Sequence, residues 1–177
     1  MHFSTTFTAL LSLTSALAAP IQLTKRSSAA GVLKVQTYDE FNISGGVSGN
    51  ALAEVAAAFP IDTSDLAGVA ASDLAIISSA AQIAEDAEVN AGGFDDAITA
   101  AGGTGTTAGT ALQNGKIKNK VLKLQTDILR IQIEVAQGNT ASQSELAGQQ
   151  TKLAANVALD KAAAGQTSTA ISFSGTD

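Results

Sequence analysis

The most regular stretch of the chain is GKIKNKVLKLQTDILRIQIEVAQG, residues 115–138. Its apolar positions Ile117, Val121, Leu124, Ile128, Ile131 and Val135 are spaced 4, 3, 4, 3 and 4 residues apart, the seam of a heptad. Leu122, Leu129 and Ile133 widen the seam to one side, as burial in a bundle requires. This helix is therefore expected at the centre of the core.

Around it, helical periodicity predicts four further elements. One runs from Ser48 to Ala58, ahead of Pro60, which disfavours helical geometry at Phe59. The next opens at Asp62-Thr63-Ser64-Asp65, a capping-box-like start, and continues through Leu66, Val69, Ile76, Ala80, Ile83 and Ala87 to about Asn90. A short piece from Phe94 to Ala101 runs into the turn Gly102-Gly103-Thr104-Gly105. After the stop at Gly138-Asn139, Ser142-Gln143-Ser144-Glu145 predicts a capping box for a last helix through Leu146, Leu153 and Val157 to Gly165, antiparallel to its predecessor. Short strands are expected at Val32–Val35 and Tyr38–Ile43, and near the C-terminus at Ile171–Ser174, where the two ends either pair or lie along the bundle. The fold class is mainly all-α: a bundle of about four to five helices with short terminal strands.

The first residues alter this picture. MHFSTTFTALLSLTSALAAP has a short polar start, an apolar run from about Phe7 to Leu17 and small residues at Ala16 and Ala18, the pattern of a secretory signal cleaved after Ala18. The run is too short to span a bilayer. Lys25-Arg26 then reads as a dibasic maturation site closing a propeptide, residues 19–26, ahead of one secreted domain, residues 27–177. The competing reading makes Lys25-Arg26 an ordinary exposed pair. The expected location is extracellular, with cell-wall association open.

That processing would remove His2 and Met1, each the only residue of its type, and the chain has no Cys or Trp. Lys25 and Arg26 would also go, leaving eight cations against sixteen carboxylates, a net charge of −8. Nucleic acid, which requires a basic footprint, is not an expected partner. Without cysteine there are no disulfides to supplement the core, and no later segment approaches a membrane-spanning length.

The missing histidine and cysteine exclude Ser-His and Cys-His nucleophile pairs and imidazole zinc sites from the mature chain. Asp95-Asp96 and Glu85-Asp86-Glu88 are the remaining acid–base candidates, and solvated acidic helix ends explain them as well. Asp86 to Ala97 has oxygen-bearing residues at the first, third and fifth positions of a calcium loop. It lacks the glycine at the sixth (Ala91) and the glutamate at the twelfth (Ala97). No catalytic residue, metal or cofactor is assigned. Asn42-Ile43-Ser44 is the only sequon and a candidate glycan site.

The remaining feature is a row of cations. Lys116, Lys120, Lys123 and Arg130 fall along one line of the central helix with Lys118 beside its start, so five of the eight mature cations lie within fifteen residues. Asp127 and Glu134 follow Lys123 and Arg130 by four residues, which is ion-pair spacing. The row is either a solvated, salt-bridged face or a patch for an anionic or protein partner.

The segments YDEFNISGGVSGNALAE, AFPID, GKIKNKVLKLQTDILRIQIEVAQG, TKLAANVALDKAAAGQTST and ISFSG together resemble a family of small secreted proteins of filamentous fungi. A looser similarity is to fungal hydrophobic-surface-binding proteins. The resemblance implies a non-enzymatic protein acting outside the cell by binding, as an effector or elicitor at a host surface. The alternative is a structural protein adsorbing to wall, lipid or apolar interfaces. Expected partners are thus an extracellular protein, a wall polymer or a lipid surface, with oligomeric state left open.

Overall fold

A computed structural model describes residues 30–177, a mainly α-helical fold. The predicted cleavage positions Ala18, Lys25 and Arg26 lie outside the described residues. Helices α1 (Tyr38–Phe41) and α2 (Ala51–Ala58) flank strand β1 (Gly46–Val47). They are followed by α3 (Ala71–Val89), α4 (Phe94–Ala100), α5 (Thr107–Ala136), α6 (Leu146–Ala162) and strand β2 (Thr167–Ser168).

The long helix α5 is the axis: α2, α3, α4, α6 and β2 all pack on it. Its heptad seam supplies the fully buried Val121 and Ile131, while the widening residues Leu122 and Ile133 are buried equally deeply on the adjoining side. Across from them lie Val55 of α2 and Ile77, Ala80 and Ala84 of α3. The three α3 residues are fully buried; alanine there lets the backbone come close, so a few large residues on α5 contribute most of the apolar area. α5 begins eight residues before the periodic stretch, because Thr106 caps it by accepting from the Gly109 amide at 2.9 Å. The preceding Gly102 and Gly103 take positive φ values of 87° and 77°, the left-handed turn that the glycine cluster implies.

α5 and α6 are antiparallel, as the short turn predicts. Arg130 reaches Ser142, Asp127 meets Gln149 and Asn114 meets Thr167, so positions climb one helix as they descend the other. The Ser142 capping box does not form. A 3-10 turn at Gln143–Glu145 runs directly into α6, and Ser142 contacts Arg130 instead.

Two helix starts also differ from expectation. α3 begins at Ala71, because Asp62 and Asp65 spend their carboxylates on local turns: Asp62 accepts from Ser64 N at 2.9 Å, and Asp65 caps the 3-10 turn Leu66–Gly68. Leu66 and Val69 still pack on the core from this turn. α2 begins at Ala51, since Gly49 has φ 120° and the buried Asp160 of α6 accepts from both Gly49 N and Ala51 N at 2.9 Å.

The strand expectations need correction. Tyr38–Phe41 is a helical turn, since Thr37 and Glu40 form a reciprocal capping box that outweighs the β-propensity of Tyr and Phe. Both rings are buried, edge-to-face at 5.6 Å. Val32–Val35 forms no strand; Val32 N and Leu33 N donate to the buried Asp73 at the start of α3. Ile171–Ser174 is also outside any strand. The ladder sits earlier, Gly46–Val47 against Thr167–Ser168, antiparallel. The two ends nevertheless lie side by side through a single bridge, Thr37 to Thr176, and through Gln36 N donating to the Asp177 carboxylate at 2.6 Å.

Replacing Ile133 by Ala is expected to lower unfolding free energy by about 2–5 kcal/mol in urea titration. At Gly115, a side-chain carbon would collide with the Thr169 carbonyl and crowd Phe94. Gly115→Ala should therefore destabilise by about 1–3 kcal/mol despite alanine's better helix propensity. A neutral or stabilising result would show that the C-terminal strand does not rest on α5.

Tyr38 is the only tyrosine, so tyrosinate absorbance reports it alone. Burial raises its pKa to about 12. The unfolded chain would ionise near the ordinary value of about 10, so this group's stabilisation is complete below that pH and is lost as pH rises towards 12. A spectrophotometric midpoint near the ordinary value, in protein still folded by circular dichroism, would refute the burial.

Candidate functional site: the cation row and the cleft beside it

The row of cations lies in the seams between helices, half-buried and paired with carboxylates of neighbouring elements. Lys116, Lys120 and Lys123 converge on the C-terminal end of α3 and the start of α4. Glu88, buried between them, takes Lys120 at 2.8 Å and has Lys116 and Lys123 at 3.8 Å. Lys116 also reaches Asp95 at 2.5 Å, and Lys123 is paired with Glu85. Three lysines of α5 thus meet three carboxylates of α3 and α4, and the charges balance.

Lys118 points the other way and is fully buried. Its ammonium pairs with Glu54 of α2 at 2.8 Å and donates to the carbonyls of Gly45 at 2.8 Å and Val47 at 3.3 Å. All three donors are used, which is what lets the charge remain in the interior. Arg130 pairs with Glu134 at 2.9 Å as the spacing predicts, but Asp127 serves Arg130 at 2.7 Å, three residues away, and not Lys123. Lys123 is drawn across to α3. Of the reading as a solvated, salt-bridged face, the salt bridges are present, but the face is partly covered by neighbouring helices: the side chains of Lys116, Lys120, Lys123 and Arg130 are 15%, 33%, 22% and 18% exposed.

Where α3 and α6 diverge over α5, a polar cleft of about 580 Å³ opens. Its charged lining is the Glu85–Lys123 pair and the Asp127–Arg130 pair. Burial pulls the Lys123 ammonium below its ordinary range, and the charge of Lys152 on α6 adds to this. Burial works against Arg130 too, but the hydrogen bonds and charges of Asp127 and Glu134 outweigh it and hold its guanidinium above the ordinary value. Ser78, Ser79 and Gln82 of α3 and Gln149 of α6 complete the rim, with Gln149 donating to Asp127 at 2.8 Å. The serines and glutamines carried no signal in sequence, because only the packing of α6 brings them opposite one another.

The other candidates are occupied locally. Asp95 is committed to Lys116, and Asp96 accepts from Gly92 N at 2.8 Å. Among the described residues no cluster of His, Cys, Asp and Glu could hold a metal ion, and no helix is long and apolar enough to cross a membrane. Asn42 closes α1: its amide nitrogen donates to the carbonyls of Tyr38 and Asp39, and its oxygen accepts from Ser44 N. A glycan would take one of its two amide hydrogens and with it one of those bonds.

A family model described as a domain of unknown function, DUF8454, matches residues 33–172, from the segment bonded to Asp73 through β2. The chain belongs to that family. Neither the curated proteins nor the solved structures provide a match. The DUF8454 domain here therefore includes the whole cation row and every residue of the cleft.

Within it, Lys118→Met should cost about 2–4 kcal/mol, since two carbonyls lose their donor and a buried position loses its charge pair. Glu54→Gln should cost less, about 1–2 kcal/mol: the buried ammonium loses its only carboxylate, but an amide oxygen can still accept from it and the Glu54 side is 36% exposed. Equal losses in chemical denaturation would contradict the assignment of Lys118 as the internal anchor.

Proposed function

We propose that this is a non-enzymatic small secreted protein that acts outside the cell by binding, as an effector or elicitor at a host surface. The resemblance to small secreted proteins of filamentous fungi supports that setting. The observation carrying the binding reading is that both carboxylates of the cleft are held by cations. Proton transfer calls for a carboxyl kept free of such a partner, so this arrangement supports binding over acid–base chemistry.

Charge narrows the partner. The α5 cations are neutralised by Glu54, Glu85, Glu88, Asp95, Asp127 and Glu134, and the buried Asp73 and Asp160 serve backbone amides. Among the described residues the cations outside ion pairs are Lys34, Lys152 and Lys161, against eight exposed or half-buried carboxylates that are also outside them. The outward field is acidic. It favours a neutral or cationic partner, such as an extracellular protein or an uncharged wall polymer, over anionic lipid.

A second reading, adsorption to apolar or lipid surfaces, is favoured by α6. Apart from Asp160 its side chains are exposed or only partly buried, Leu159 is 52% exposed, and Leu52 of α2 joins Leu153 and Val157 along an apolar groove beside it.

Sedimentation of the secreted protein with extracellular wall material, neutral and anionic vesicles and hydrophobic beads, at low and physiological salt, tests both. Retention by wall material or a host protein is expected, with no salt-sensitive retention on anionic vesicles. Salt-independent capture by beads and neutral vesicles would favour adsorption. Capture by anionic vesicles that is lost in a Lys116, Lys120, Lys123 to Gln variant would overturn the acidic-field argument, and no retention anywhere would sink the binding reading.

A further inference from the structure

We infer that the cleft between α3 and α6 is a binding site for a neutral, hydroxyl-rich ligand, a short uncharged oligosaccharide; this rests on the binding reading above. The cleft volume, about 580 Å³, lies within the range of small-molecule sites, roughly 300–1,000 Å³. Its lining is almost entirely polar, with Ala81 as the one apolar side chain. Recognition there is by hydrogen bonds.

The charges decide against an ionic ligand. The charged residues of the lining are the pairs Glu85–Lys123 and Asp127–Arg130, so no lining charge of either sign is left unpaired. An anion would have to detach Lys123 or Arg130 from a carboxylate it already holds, leaving that carboxylate unpaired in a partly covered site. A cation meets the same difficulty with the signs reversed.

The free hydrogen-bonding capacity decides in favour of hydroxyls. Ser78 and Ser79 make no side-chain hydrogen bond among the described residues, and both line the cleft. Gln82 uses its amide nitrogen on Asp86 at 3.1 Å, and its carbonyl stays open. Gln149 uses its nitrogen on Asp127, while its carbonyl oxygen is buried at the cleft wall without a partner, a position that natively calls for a donor. The set is two hydroxyls that donate and accept and two carbonyls that accept. Vicinal sugar hydroxyls, each a donor and an acceptor, match it. With no aromatic ring in the lining there is no stacking surface, so affinity depends on these side chains alone.

The test is nuclear magnetic resonance titration of the isotope-labelled protein with laminaritriose, cellotriose and tri-N-acetylchitotriose. Trigalacturonate and fully deacetylated chitotriose serve as charged comparators. Saturable shifts confined to residues around Ser78, Ser79, Gln82 and Gln149, with at least one neutral trisaccharide, are expected. Affinity should fall about tenfold in a Ser78→Ala, Ser79→Ala double variant and in Gln149→Leu, the loss of one or two hydrogen bonds. The serine variant, on the outward side of α3, guards against a folding defect in the other. Shifts only with a charged trisaccharide, shifts elsewhere, or none with any would overturn the inference. Sedimentation with a partner that survives both cleft variants would do the same while leaving the binding function intact; loss of all binding in every assay would remove both.

Discussion

The structure depends on α5 being enclosed. A helix surrounded by α2, α3, α4, α6 and the C-terminal strand buries Asn114, Lys118 and Asn119, and each of these must find a partner inside. Those partners are the backbone of the surrounding segments. Asn114 holds the carbonyl of Thr167, and Lys118 holds those of Gly45 and Val47. Asn119 donates to the Ala84 carbonyl at 2.7 Å and accepts from the Tyr38 hydroxyl at 2.8 Å. Four separate stretches of chain are thus fixed to one helix by side chains within six residues of each other. This compensates for a core in which many contacts are alanine and for the absence of any disulfide.

The same enclosure explains what the lysines do. A carboxylate such as Glu88, buried in the α3–α5 seam, would be costly alone; ringed by three ammonium groups it is held in a neutral cluster. Such pairs specify which helix face meets which more than they add net stability. They set the rotation of α3 against α5, and with it the position of Ser78, Ser79 and Gln82 at the cleft rim. Structural pairing and site geometry therefore share the residues Glu85 and Lys123.

The helices were legible because period and stop signals are local: the heptad spacing of α5, Pro60 after α2, Gly138 after α5. The short elements were not, because distant groups settle them. Nothing near Ser48 announces that Asp160, more than a hundred residues on, caps α2. The Thr37–Glu40 capping box was visible in principle, but the β-branched and aromatic residues around it pointed the other way. For the cation row, spacing within one helix offered Asp127 and Glu134 as partners, and only Glu134 serves in that manner. The carboxylates of α2, α3 and α4 could not be assigned to particular lysines without knowing how the helices rotate.

That limit also bears on charge. A cluster of five cations in fifteen residues looks like a basic surface when the chain is read one helix at a time, and the acid excess looks like a diffuse background. Folding reverses the two. The cations are consumed by carboxylates brought from elsewhere, and the surplus acids at turns and ends remain outside ion pairs to set the outward field. What the molecule presents to a partner is then the remainder after internal pairing: an acidic exterior interrupted by one cleft in which the charges cancel. A neutral ligand meets no electrostatic barrier there, whereas a charged one must displace a pair already formed.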